Sequence, residues 1–234
     1  MSRVPQKPAS RGSQKWIQAL VNQAPHLLDR AIAPHLNLSP TDKIVWLSPL
    51  AEDAYAEYRD EMFLSKIEAR VKVAPLSGFW PTRGPQWDAL GRTSRGEPLL
   101  VEAKAHIPEL LSPPTQATGR RSLKVIRTSL DRVKRAVGSR AAADWSGVYY
   151  QYTNRLAHLY FLRNLNRIPA YLVFVYLLND ADMQGPKTAE EWAGAIRLVH
   201  AQLGVDEARL VKAFGGAVID VFIDVADIAA ATLT

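Results

Sequence analysis

One stretch constrains this chain more than any other: AYLVFVYLL at 170–178, an apolar run with no polar interruption. A membrane helix needs about 20 such residues. The run is less than half that long, so it reads as a buried strand. A second strand candidate, GAVIDVFIDV, lies near the C-terminus. Between the two, TAEEWAGAIRLVHAQLG opens with Thr188 as N-cap and Glu191 three residues on, the signature of a helix start. Before the apolar run, GVYYQYTNRLAHLYFLRNLNR carries Leu156, Leu159, Tyr160 and Leu162 at helical spacing and is stopped by Pro169.

Further upstream, RRSLKVIRTSLDRVKRAVGSR predicts a basic amphipathic helix ending near Gly138. The segment 71–107 breaks into short pieces punctuated by Gly and Pro, two of which form a β-hairpin closed at Arg95-Gly96. Ser48 and Pro49, followed by early acids, predict a long helix over 49–67. Trp16, Leu20, Leu27 and Leu28 predict another over 16–30, with Pro34 and Pro40 bounding the connection. Helix, antiparallel strands, helix, strand is the order of a three-layer α/β/α core with a mixed central sheet.

The domain reading has four parts. Residues 1–15 form a basic flexible tail, 16–45 an N-terminal helical segment, 46–180 the core, and 181–234 a helix and strand packed on it. The leader MSRVPQKPASRGSQK has four cations, no acid and no apolar run. It therefore lacks the hydrophobic region of a signal peptide, and a cytoplasmic protein without membrane partners is expected.

Composition removes whole classes of chemistry. The 234 residues include no cysteine, which excludes thiolate nucleophiles, zinc-thiolate sites and iron–sulfur clusters. Any metal must be held by oxygen or imidazole. No GxxxxGK or GxGxxG phosphate loop occurs, and the five histidines show no HExxH spacing. The net charge of +6 makes a polyanionic partner reasonable. Much of that charge lies in the 120–140 helix, where eight Lys and Arg face Asp131 alone. Arg127, Arg132, Lys134 and Arg135 are its candidate nucleic-acid contacts, with Arg155 on the next helix.

The chemistry concentrates in LLVEAKA. Strand alternation puts Glu102 and Lys104 on one face and Val101, Ala103 and Ala105 on the other. The hairpin turn brings Asp88 alongside Glu102. Two adjacent carboxylates repel, and burial penalises both, so without a cation one tends to protonate. Mg²⁺, which prefers oxygen ligands and keeps several waters, resolves the conflict, and a lysine beside it can steer an attacking water.

Asp88, thirteen intervening residues, then Glu102-Ala103-Lys104 resembles the signature of the PD-(D/E)XK nuclease superfamily, the restriction-endonuclease-like fold. Trp87 stands where that signature has proline, with Pro85 two positions earlier. The resemblance covers the middle of the chain. It implies a metal-dependent nuclease in which Asp88, Glu102 and the Ala103 carbonyl hold Mg²⁺, with Mn²⁺ as a substitute, and Lys104 orients the water. It also implies an acid on the first core helix, Glu57 in preference to Glu61, and a glutamine on the helix after the third strand, Gln151. The implied partner is nucleic acid, DNA rather than RNA, with the oligomeric state left open, a dimer included. The alternative is a non-catalytic nucleic-acid-binding or scaffolding module on the same fold. Trp80, Trp87, Tyr149 and Tyr150 are core aromatics or base-stacking platforms, and His106 is a surface histidine on the face of Glu102.

Overall fold

A computed structural model describes residues 3–39 and 41–233. Residues 1, 2 and 234 and the expected boundary at Pro40 lie outside the described residues. In chain order the elements are β1 (Arg3–Val4), α1 (Gly12–Asn22), α2 (Pro25–Ile32), β2 (Ile44–Ser48), β3 (Glu57–Tyr58), α3 (Asp60–Lys66) and α4 (Leu76–Phe79). They continue with β4 (Ala89–Thr93), β5 (Pro98–Lys104), α5 (Arg120–Ala136), α6 (Tyr150–Tyr160), β6 (Tyr171–Leu178), α7 (Ala189–Leu203), α8 (Glu207–Phe214), β7 (Val218–Asp224) and α9 (Val225–Ala231). A π-helical turn, Phe161–Leu165, extends α6.

The main sheet has the order β2-β4-β5-β6-β7. β2, β4 and β5 are antiparallel, whereas β5, β6 and β7 are parallel, so the sheet is mixed. Alternation along the strands divides the core in two. Val101, Ala103, Val173, Val175 and Val221 pack under α1, α2 and α9, and Leu100, Leu172, Phe174 and Tyr176 pack under α5, α6 and α7. Both faces are covered by helices, and the fold is a three-layer α/β/α core. β6 is apolar along its length because, as a strand inside a parallel array, it is buried on both sides. Among the described residues no helix is long and apolar enough to cross a membrane.

Three local expectations are corrected. The leader is not a free tail from residue 3 onward: Arg3 and Val4 pair with Tyr58 and Glu57, and Arg3 makes a forked hydrogen bond to Asp53 Oδ1, with Nη2 at 2.7 Å. The stretch 49–67 is not one helix. Ala54 and Tyr55 adopt positive φ, and Glu57 and Tyr58 are extended because β1 supplies a strand partner. Only α3 remains helical beyond a short 3₁₀ turn. The helix expected over 16–30 starts earlier and breaks at Pro25, which takes the first position of α2, where its missing N–H costs nothing.

Candidate active site

The hairpin β4–β5 builds the floor. Asp88 lies just before β4, and its backbone N–H donates to Val101 O at 3.2 Å. Two residues on, the Ala103 N–H points to the same edge of β5, past the start of β4, and Asp88 Oδ2 accepts it at 2.7 Å. A side chain thus replaces the next ladder bond. In a strand the C=O of a residue shares the edge of its N–H, so the Ala103 carbonyl borders the Asp88 carboxylate. Asp88 Oδ1 takes no hydrogen bond among the described residues, and the side chain faces a cleft.

Glu102 and Lys104 project from the same face of β5 and are buried beside Asp88. Glu102 is 1% exposed. Its Oε1 accepts from Lys104 Nζ, and its Oε2 accepts from Arg155 Nε at 2.6 Å. Lys104 Nζ also donates to Gln151 Oε1 at 2.7 Å. Burial raises the Glu102 carboxyl, but Arg155 and Lys104 outweigh it and hold the group below the usual range. Asp88 has no such clamp. Burial first, then the Glu102 charge, push its carboxyl well above the ordinary value, against a smaller pull from Lys104.

Glu57 forms the near rim. It is buried and accepts side-chain amide bonds from Gln6 at 3.3 Å, Gln14 at 3.2 Å and Gln86. Burial is the main force raising its carboxyl, and the Glu102 charge adds to it. Glu57 is therefore brought to the cleft from β3, not from a helix. Glu61, on α3, is exposed and is not part of the cleft lining.

The cleft above these groups has a volume of 840 Å³. One wall is the 80–86 loop and the other the proline-rich 111–119 loop, with the first turns of α5 and α6 closing the end. Tyr150 lies half-buried in the lining, its ring stacked on Trp80 with centroids 6.5 Å apart and planes 20° from parallel. Trp87 is fully buried in the core, and Tyr149 is not part of the lining. His106 bonds Glu109 at 3.0 Å and stays outside the cleft.

The nucleic-acid candidates divide. Arg127, Arg132 and Arg135 are exposed on α5, whereas Lys134 is half-buried and donates to Ala143 O at 2.9 Å. Arg155 is 3% exposed and also donates to Asn154 Oδ1 and to Gln86 O. Its guanidinium lies over the Trp87 ring at 4.8 Å. This arginine lines the cleft but neutralises Glu102 within the site, unlike the exposed arginines of α5.

The chain matches no protein-family model, no curated protein and no solved structure. The chemistry open to the site is set by its own geometry.

That geometry includes partners that sequence reasoning missed. Gln86, Gln14 and Gln6 hold Glu57, and none carries a local signal, since their only common feature is an amide delivered from a different segment. No group of three or more His, Cys, Asp or Glu close enough to hold a metal occurs among the described residues. The donor set is two carboxylates and a carbonyl. Asp88 fits a hard cation: it has an uncommitted oxygen facing the cleft and a carboxyl disfavoured as an anion in its present surroundings. At Glu102 a cation would compete with Lys104, which retains Gln151 as a second partner.

Proposed function

We propose that the chain is a metal-dependent nuclease that hydrolyses phosphodiester bonds in nucleic acid. The observation that carries this reading is the convergence of Asp88, Glu102 and Lys104, with Gln151 on the lysine, beneath one cleft. A divalent cation held by Asp88, Glu102 and the Ala103 carbonyl would supply Lewis acidity toward a phosphate oxygen and offset the repulsion between the two acids. The residues themselves do the positioning. Gln151 fixes the lysine ammonium, and Arg155 keeps Glu102 ionised. Lys104 stands where a water is oriented toward phosphorus and where negative charge grows as the new P–O bond forms and the ester P–O bond breaks. The attacking water gives up a proton to solvent and the departing oxygen takes one up, leaving a phosphate monoester and a free hydroxyl. DNA is the preferred polymer, on the resemblance of the Asp88 and Glu102-Ala103-Lys104 pattern.

One observation favours a second reading. Glu102 is already neutralised by Lys104 and Arg155, as in a purely structural buried ion network, and a non-catalytic nucleic-acid-binding module would keep such a network. Cleavage of plasmid and oligonucleotide substrates in Mg²⁺ or Mn²⁺ separates the two. Lys104→Ala is expected to lower cleavage by about 10²-fold or more while leaving nucleic-acid binding nearly intact. Equal rates in wild type and variant, after contaminating nuclease is removed, would retire the enzyme in favour of the binding module.

A further inference from the structure

We infer that the cleft takes unpaired nucleotides, with a base laid on Tyr150, and that continuous duplex is not its occupant. The inference rests on the nuclease reading for the identity of the polymer, and on three features of the cleft for its state.

The first is depth. Glu102 and Lys104 are 1% and 9% exposed at their side chains and lie beneath the cleft instead of in its lining. A phosphate must descend to Asp88 to meet them. A single strand can bend its backbone into such a recess, whereas a duplex presents its phosphates on a stiff, wide surface. The volume of 840 Å³ matches pockets that enclose a ligand of nucleotide size.

The second is charge. Glu57, Asp88 and Glu109 face the cleft against Arg83 and Arg155, and Arg155 is committed to Glu102. The lining therefore offers few cations to a run of phosphates, which disfavours a duplex docked along its backbone more than a strand that also gains from stacking. The third is wall chemistry. Tyr150, backed by Trp80, supplies a π-face that any base can use. Gln116, Thr115 and Ser122 stand nearby as uncharged donors and acceptors, the groups that read exposed base edges in single strands. Tyr150 is one of the aromatics that the sequence marks as a stacking candidate, and it is the one that reaches both the cleft and Trp80.

The test is binding in EDTA, so that no cleavage intervenes. Fluorescence anisotropy would compare a short single strand of DNA, the same sequence as RNA, and the blunt duplex. A single strand of either sugar is expected to bind about tenfold more tightly than the duplex, and Tyr150→Ala to lose about that factor for the strand alone, while Tyr150→Phe retains it. A strand carrying 2-aminopurine, titrated with the wild-type protein, should be quenched at one position, which needs no variant to fold. Duplex binding as tight as the strand, an unquenched probe, or a folded Tyr150→Ala with wild-type affinity would each overturn the inference. Strand preference with no cleavage in Mg²⁺ or Mn²⁺ would support it and retire the nuclease reading, whereas cleavage with equal affinities would do the reverse.

Discussion

Replacing Arg155 with methionine should be the most damaging single change at this site, and the damage should come from the group left behind. The side chain donates to Glu102, Asn154 and Gln86, and its cation lies over Trp87. Methionine keeps much of the volume but none of the donors. Glu102, at 1% exposure, would keep only Lys104. Losing one charged hydrogen bond costs about 1.5–3 kcal/mol, and stripping one member from a buried ion pair costs about 3–5 kcal/mol. These overlap, so the expected loss is about 3–5 kcal/mol from a total on the order of 5–15 kcal/mol.

Urea unfolding at neutral pH should then show a midpoint lower by about 1–2.5 M with an unchanged slope. Glu102→Gln removes the anion that needs Arg155, so the double variant should lose less than the two single losses combined, with a coupling of at least about 2 kcal/mol. Additive losses, or an Arg155→Met loss below about 1 kcal/mol, would refute the account of a desolvated carboxylate held by a specific cation.

Three further outcomes follow from the same physics. Asp88 has a carboxyl raised by burial and by Glu102, so its ionisation costs the folded state stability as pH rises above the ordinary carboxylate range. Asp88→Asn should therefore raise the metal-free melting temperature at pH 7, by about 2–4 °C per kcal/mol relieved, with no gain at pH 3 and with the thermal shift induced by Mn²⁺ abolished. A wild-type melting temperature in EDTA would sink this. His158 is buried among Phe63, Trp80 and Trp87, and burial lowers it from 6.5 to about 3. The unfolded chain takes up that proton first, so stability present above pH 6.5 is lost on acidification, by about 2 kcal/mol at pH 5. In His158→Phe the pH 7 to pH 5 difference in unfolding free energy should shrink by that amount. On α5, neutralising exposed Arg127, Arg132 and Arg135 should flatten the log–log salt dependence of single-strand binding by about 2, and an unchanged slope would make that face a solvated surface only.

The sheet was legible where periodicity is local. The alternation of LLVEAKA put Glu102 and Lys104 on one face, and the Arg95-Gly96 turn fixed the hairpin that carries Asp88 to Ala103. It failed where the partner is distant. Acids at 52, 53, 57 and 61 look helical on their own, yet β1 arrives from the far N-terminal leader, Arg3–Val4, and draws Glu57 and Tyr58 into a strand. β2, α8 and α9 left no strong signal because each is short and takes its place from the sheet it packs on. For Arg155, a helical arginine reads as solvated until the fold sets a buried glutamate 53 residues earlier against it.

The mixed sheet also sets an order of assembly. The β4–β5 hairpin is closed by a tight turn and can form in about 1–10 μs once synthesised. Its next neighbour, β6, is parallel and arrives only after a crossover that contains α5 and α6. Arg155 emerges 53 residues after Glu102, a delay of about 3–10 s at ordinary synthesis rates. For those seconds the nascent chain carries a strand edge rich in leucine and valine, and the still hydrated charges of Glu102 and Lys104 on β5 guard that edge against pairing with another chain. The charges that must find partners in the finished core keep the unfinished edge from finding the wrong ones.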